Sequence, residues 1–175
     1  EKRLRASFFS CDDSVASLLE EEEIQDSVLQ LLDSCEIEHS GKFEKAKVRK
    51  EAFENSEFRE KLEELIHPMV LEQAVEFLQR HQNESDYSLV EVPLLYEVYF
   101  PITRNLELGV AATTPTQLSR LIENRKLETV VANQILAAQL PMEEKISRAD
   151  VVVWNDGSTN ALTNQIEHLA LRCAP

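Results

Sequence analysis

The stretch Ser88-Leu-Val-Glu-Val-Pro-Leu-Leu-Tyr-Glu97 constrains the fold more than any other part of the chain. Leu89, Val90 and Val92 make a short apolar run rich in β-branched residues, bounded by polar residues 82–86 on one side and Pro93 on the other. That pattern predicts a fully buried strand in the middle of a parallel sheet. Pro93 has no N–H to offer a ladder and ends the strand. Leu94, Leu95, Tyr96 and Glu97 therefore leave from a strand's carboxyl end, where open α/β sheets bind their ligands. Glu91 lies inside the run, and a carboxylate buried there needs a partner or a function.

Further short apolar runs alternate with stretches of helical periodicity, which predicts right-handed βαβ units and an α/β fold. Phe8 to Cys11 is a short strand, followed by Asp12, Asp13 and Ser14 as N-cap residues of a helix carrying Val15, Leu18 and Leu19. Ile24, Val28, Leu31, Leu32 and Cys35 mark an amphipathic helix. A turn-bearing connection around Ser40-Gly41 holds His39 as an exposed loop residue. The next helix, over 44–53, carries Lys45, Lys47, Arg49 and Lys50 on one side, either as a solvated surface or as a contact for an anionic ligand. Asn55 or Ser56 caps a long helix with a stripe of Phe58, Leu62, Leu65, Ile66 and Met69. Pro68 predicts a kink or break there, with His67 at the bend as a structural residue or a binding one.

Leu106, Leu108 and Val110 alternate as another strand. Thr114, Pro115 and Gln117 then supply a helix start, with Thr114 as N-cap and Gln117 placed for a capping box. Two short helices joined by a basic turn form either a closing lid with Arg120, Arg125 and Lys126 or a plain helical hairpin. A further short helix begins at Leu140-Pro141, and residues 151–154 (Val-Val-Val-Trp) are a second buried strand. Asn155-Asp-Gly-Ser158 is a tight turn in which Ser158 caps the last helix. The opening Glu1-Lys-Arg-Leu-Arg5 reads as the end of a helix that begins upstream, and Glu1 in place of Met points the same way.

Composition narrows the partners. The 175 residues suit one domain with room for a small inserted lobe, and 43% apolar with 29% charged residues is ordinary for a soluble globular protein. No apolar run approaches the roughly 18 residues of a membrane span, and no leader pattern opens the chain. A net charge of −14 disfavours nucleic acid and anionic membranes, while a phosphorylated small molecule needs only a few placed cations. Cys11, Cys35 and Cys173 lack metal-ligand spacing and read as reduced cysteines of a cytoplasmic protein.

The segments together resemble the dephospho-coenzyme A kinase family over nearly the whole chain. The most specific pieces are Leu65-Ile-His-Pro68, Val92-Pro-Leu-Leu-Tyr-Glu97, and a run from Gln134 to Ser158 with Gln139, Lys145, Ala149-Asp150 and Asn155-Asp-Gly-Ser158. Cys11-Asp-Asp-Ser-Val-Ala16 resembles the family's Asp-x-Asp-x-(Val/Ile)-Ala segment, and residues 41–53 its glycine, basic and phenylalanine stretch. The resemblance implies a three-layer P-loop kinase-like parallel sheet with a helical acceptor-binding part (about 20–88) and a small helical lid (about 115–140) in one domain over 1–175. It implies transfer of the γ-phosphoryl of ATP, with Mg²⁺, to the ribose 3′-hydroxyl of dephospho-coenzyme A. Asp13 matches the base and Arg120 a lid arginine that acts in catalysis and ATP binding. Lys45, Arg49, His67, Pro93, Leu94, Leu95 and Glu97 match the acceptor side. Arg125, Asn155 and Gly157 match the ATP side, and Glu91 falls near the metal. The implied enzyme is a monomer or weak oligomer whose partner is its small-molecule substrate.

Several positions depart from the family pattern. No G-x-x-x-x-G-K-[ST] phosphate cradle occurs in these residues, and its family position would lie upstream of Glu1. Cys11 stands where the family has its first aspartate, Lys45 and Asn124 where it has arginine, Glu91 and Trp154 where it has aspartate. Arg-to-Lys loses bidentate geometry. These departures keep open a second class of function, a non-catalytic relative that binds coenzyme A-like ligands or a protein. A nucleoside-monophosphate kinase fits less well, because the His67-Pro68 and Pro93–Glu97 segments favour the first family.

Overall fold

The structure, a computed structural model, describes residues 5–172. The helix end expected over residues 1–5 falls almost wholly outside the described residues, as does Cys173. Among the described residues the chain forms two compact units, Glu1–Pro93 and Leu94–Pro175. The first runs β1 (Ala6–Ser10), α1 (Cys11–Leu18), α2 (Glu22–Ser34), α3 (Lys45–Glu54), α4 (Ser56–His81) and β2 (Tyr87–Glu91). The second runs β3 (Leu108–Ala111), α5 (Thr114–Glu123), α6 (Thr129–Ala137), α7 (Met142–Arg148), β4 (Val151–Trp154) and α8 (Thr159–Arg172). Each unit holds one pair of parallel strands connected through helices, so the expected α/β class stands.

In the first unit β1 pairs with β2 from Ala6↔Tyr87 to Ser10↔Glu91. Phe9 packs on Phe77 of α4, with ring centroids 5.5 Å apart. The core lies between α4 and its neighbours: Phe58, Leu18, Leu32 and Val28 are almost completely withdrawn from water. Burial of side chains this size stabilises by roughly 1.5–3 kcal/mol each. Ser14 donates a 2.6 Å hydrogen bond to Gln73, tying α1 to α4. Asn55 caps α4 as expected, its side chain accepting from the Phe58 N–H at 3.1 Å.

Four expectations for this unit change. The helix after β1 starts at Cys11, because Ser10 is the last extended residue and its hydroxyl accepts the Asp13 N–H. Asp12 and Asp13 therefore sit in the first turn, where carboxylates complement the helix N-terminus. Second, α4 is one continuous helix through Pro68, so of the expected kink or break the break does not occur. Proline removes one ladder hydrogen bond there, and burial of Ile66, Val70 and Ala74 on either side holds the helix together. Third, β2 is not buried on both faces. Leu89 is 47% exposed and its register partner Phe8 61%, because within this unit α4 covers only the opposite face. Glu91, at the strand's last position, is likewise exposed rather than a buried acid. Fourth, His39 is not a free loop residue. Its side chain is mostly covered, Nδ1 accepts the Gly41 N–H at 3.1 Å, and Nε2 therefore carries the proton toward Asp33 at 2.9 Å. Gly41 itself has φ +77°, a conformation that a residue without Cβ adopts freely.

In the second unit β3 pairs with β4 from Leu108↔Val151 to Ala111↔Trp154. Ala111 and Val153 are buried, whereas Val110 and Trp154 are largely exposed, so this strand pair too is only partly covered. The Gln165 side chain of α8 accepts from the Trp154 N–H and donates to the Trp154 carbonyl, at 3.0 and 2.9 Å. One amide thus satisfies both backbone groups of the strand's last residue. Gly109 allows the close approach of Ala149, whose Cβ would lie 3.2 Å from any Cβ placed there. Ser158 caps α8 as expected, accepting from the Ala161 N–H at 3.3 Å. At α5 the cap moves back by one residue, to Thr113. Gln117 donates to the Ala112 carbonyl at 2.7 Å instead of closing a capping box.

Candidate functional site

The β1–β2 register brings the start of α1 and the candidate Glu91 to one edge. Ser10 and Glu91 are opposed at the carboxyl ends of the two strands, and α1 departs directly from Ser10. Asp12 and Asp13 are exposed in its first turn. Cys11 behind them is buried, and its thiol is pushed up to about 11 by burial, then by the Asp12 and Glu91 carboxylates. It is a neutral packing residue, and the carboxylates that act on it mark the edge as anionic. Such an edge has a carboxylate free to take a proton from a hydroxyl, and carboxylates able to share a cation with phosphate oxygens. No group of three or more metal-ligating side chains exists among the described residues. A Mg²⁺ bound mainly through nucleotide phosphates needs only one or two carboxylates, so Glu91 with the first turn of α1 fits such an ion.

The cations of α3 are not equivalent. Lys45 pairs with Glu20, Lys47 with Glu51 at 3.8 Å and Lys50 with Glu54 at 3.7 Å. Arg49 is exposed and has no ion-pair partner among the described residues, which leaves its guanidinium free for an anion. His67 is exposed on α4, and its side chain likewise has no hydrogen-bond partner among the described residues. Pro93, at the end of β2, and Leu94, which opens the second unit, are exposed, and Leu95 is half-buried.

In the second unit Arg120 and the 155–158 turn meet. Nη2 of Arg120 donates to the Asn155 carbonyl at 2.6 Å and lies 3.4 Å from its side-chain oxygen. Asp156 accepts from the Thr113 N–H and hydroxyl, each at 2.9 Å. The Thr116 hydroxyl and then these Thr113 contacts hold the Asp156 carboxyl below the usual carboxylate range. Arg125 and Gly157 are exposed. Glu97, expected on the acceptor edge, is otherwise engaged: Oε1 accepts from the Leu140 N–H at 3.0 Å and faces Lys145 Nζ at 2.9 Å. Lys145 also donates to Gln139 at 3.1 Å, and Asp150 accepts the Glu107 N–H at 2.8 Å. Gln139, Lys145 and Asp150 thus serve one another and the backbone. Tyr96 donates to Glu107 at 2.9 Å, and its hydroxyl is pushed up to about 12 by burial and then by that bond.

Sequence reasoning missed Ser10, Gln73 and the Asp156–Thr113 pair. Ser10 was visible as a cap residue ahead of two acids, but Gln73 gives no local signal because its partner is 59 positions away.

The chain's similarity to known proteins bears on the same residues. The sequence model of the family described as dephospho-CoA kinase matches residues 12–161, which span α1 to the start of α8. A dephospho-CoA kinase from Fusobacterium nucleatum is 28% identical over 91% of this chain and 81% of its own length. One from Thermosynechococcus vestitus is 35% identical over 73% of this chain and 62% of its own. The crystal structure of TT1252 from Thermus thermophilus superposes with a TM-score of 0.79 at 25% identity, covering 97% of this chain and 86% of that one. A dephospho-CoA kinase from Campylobacter jejuni, at 21% identity, shares the fold with a TM-score of 0.59 over 95% of this chain and 86% of its own. With the match running from the acidic first turn of α1 to the Asn155 turn, this chain belongs to the dephospho-CoA kinase family.

Proposed function

We propose that the protein transfers the γ-phosphoryl group of ATP to the ribose 3′-hydroxyl of dephospho-coenzyme A, the last step of coenzyme A formation. The observation that carries this reading is Asp13: an exposed carboxylate in the first turn of α1, at the carboxyl edge that also holds Glu91. Phosphoryl transfer of this kind asks for positioning and charge balance more than for covalent chemistry. Asp13 accepts the proton of the 3′-hydroxyl as its oxygen attacks the γ-phosphorus and the bond to the β-phosphate oxygen breaks. Arg120 balances the charge that develops on the phosphoryl oxygens, and Arg125 supports it from the hairpin turn.

On the acceptor side, Arg49 is the readiest partner for a substrate phosphate, joined by Lys45 once it leaves Glu20. His67 offers its ring nitrogens as hydrogen-bonding groups, and Pro93, Leu94 and Leu95 offer apolar surface. Asn155 and Gly157 form the turn that receives the adenine. Bound Mg²⁺ neutralises phosphate charge, and Glu91 is the carboxylate that would hold it. Residues 20–88 then form the acceptor-binding part and 115–140 the lid of one domain, working in the cytoplasm as a monomer or weak oligomer. Among the described residues no helix is long and apolar enough to cross a membrane.

Asp13→Asn tests the proposal. Turnover in a coupled ADP-release assay with dephospho-coenzyme A should fall by roughly 10²–10⁴ with little change in thermal midpoint. Unaltered turnover would remove Asp13 from the mechanism.

A further inference from the structure

The two short helices α5 and α6 pack on each other, and neither packs extensively on any other element among the described residues. Their pose is therefore decided where the chain enters and leaves the hairpin. Both places are held by a carboxylate that reaches in from elsewhere in the unit. At the entry, Asp156 from the turn after β4 takes both the N–H and the hydroxyl of Thr113, the cap residue of α5. At the exit, Glu97 takes the N–H of Leu140, three residues after α6 ends. Glu97 is itself fixed by the turn at Leu94, whose carbonyl accepts the Glu97 and Val98 N–H groups at 2.8 and 3.1 Å. Lys145 closes the exit from the other side, bonded to both Glu97 and Gln139. The Glu97 and Lys145 side chains are only 20% and 19% exposed, so the pair is less screened than an ordinary surface ion pair.

We propose that Asp156 and Glu97 are positioning residues that clamp the two roots of the α5–α6 hairpin and so set where Arg120 is presented. The inference rests on reading that hairpin as the lid of the kinase. Arg120 lies two turns into α5, and its guanidinium is bonded to the carbonyl of Asn155, the neighbour of Asp156. The entry clamp thus fixes the start of the helix that carries Arg120 and the turn that receives its side chain. The exit clamp prevents α6 from swinging away from that turn. Both clamps use charge-assisted hydrogen bonds to backbone N–H groups, which are stronger than neutral ones and hold direction as well as distance. Glu97 on this account serves the reaction through the hairpin and does not touch the acceptor.

The clamp and direct acceptor binding predict opposite results for Glu97. In the intact protein, Glu97→Gln, Glu97→Ala and Asp156→Asn are compared with wild type by amide hydrogen exchange and by steady-state kinetics. The clamp predicts that amides of residues 116–137 exchange faster by on the order of tenfold, while those of α8 are unchanged. It also predicts a fall in kcat with the KM for dephospho-coenzyme A within about twofold of wild type, and a smaller effect for Gln than for Ala. Unchanged exchange in the hairpin overturns the proposal, and so does a rise in acceptor KM with kcat preserved. Arg120→Ala tests the lid reading separately. If it leaves turnover intact, the lid reading fails, whereas the exchange data still decide whether the two carboxylates hold the hairpin.

Discussion

At the scale of single residues, the same amino-acid type has opposite meanings in different places. Asp13 is exposed and uncommitted, whereas Asp156 is occupied by Thr113 and Thr116. Arg49 has no ion-pair partner among the described residues, while Lys45, Lys47 and Lys50 on the same helix are paired. Cys11 was legible as a departure from the family pattern, but its inertness was not. Its thiol is buried beside Asp12 and Glu91 and stays protonated to about pH 11. Native protein treated with iodoacetamide at about pH 8 should therefore be modified at the half-buried Cys35 well before Cys11. Mass-spectrometric mapping that found Cys11 reacting as fast as Cys35 would contradict this account.

At the scale of elements, helix existence was readable because the 3.6-residue period survives in the sequence, whereas starts depended on where the extended backbone ends. Ser10 displaced Asp12–Ser14 as the cap, and Thr113 displaced Thr114. Pro68 shows the limit of local rules most plainly. An interior proline costs a helix about 3 kcal/mol, yet α4 continues across it because buried residues on both sides keep the helix in place. Pro68 is exposed, so a longer side chain is not needed to fill space at that point. Pro68→Ala should therefore stabilise the protein, by about 1–2 kcal/mol once the gain in unfolded-chain freedom is subtracted. Urea denaturation read by circular dichroism checks this, and a lowered midpoint would show that the proline fits a bend that alanine does not.

At the scale of the whole molecule, both units carry a group whose acid form the fold protects: Cys11 in the first and Tyr96 in the second. Each has its folded value raised above the ordinary one, from 9.0 to about 11 and from 10.0 to about 12. Below about pH 8 both are protonated whether folded or not, and the stabilising contribution is complete. As pH rises further, the unfolded chain ionises first and is favoured, so stability is lost progressively up to about pH 12. Denaturation midpoints should fall between about pH 8 and pH 11, and Cys11→Ala together with Tyr96→Phe should flatten that fall. A profile unchanged by the double substitution would place the alkaline loss elsewhere. The sequence by itself determined the α/β class, the order of elements, the family and the candidate residues at the ends of its strands. All of these follow from periodicity and from motifs carried within short windows. Only the tertiary structure decided that Leu89 and Phe8 share an open face, that Arg49 is the cation of α3 with no ion-pair partner among the described residues, and that Glu97 reaches Lys145 and Leu140. Those facts depend on which distant segment lies beside each side chain, and no local pattern in the chain encodes that neighbour.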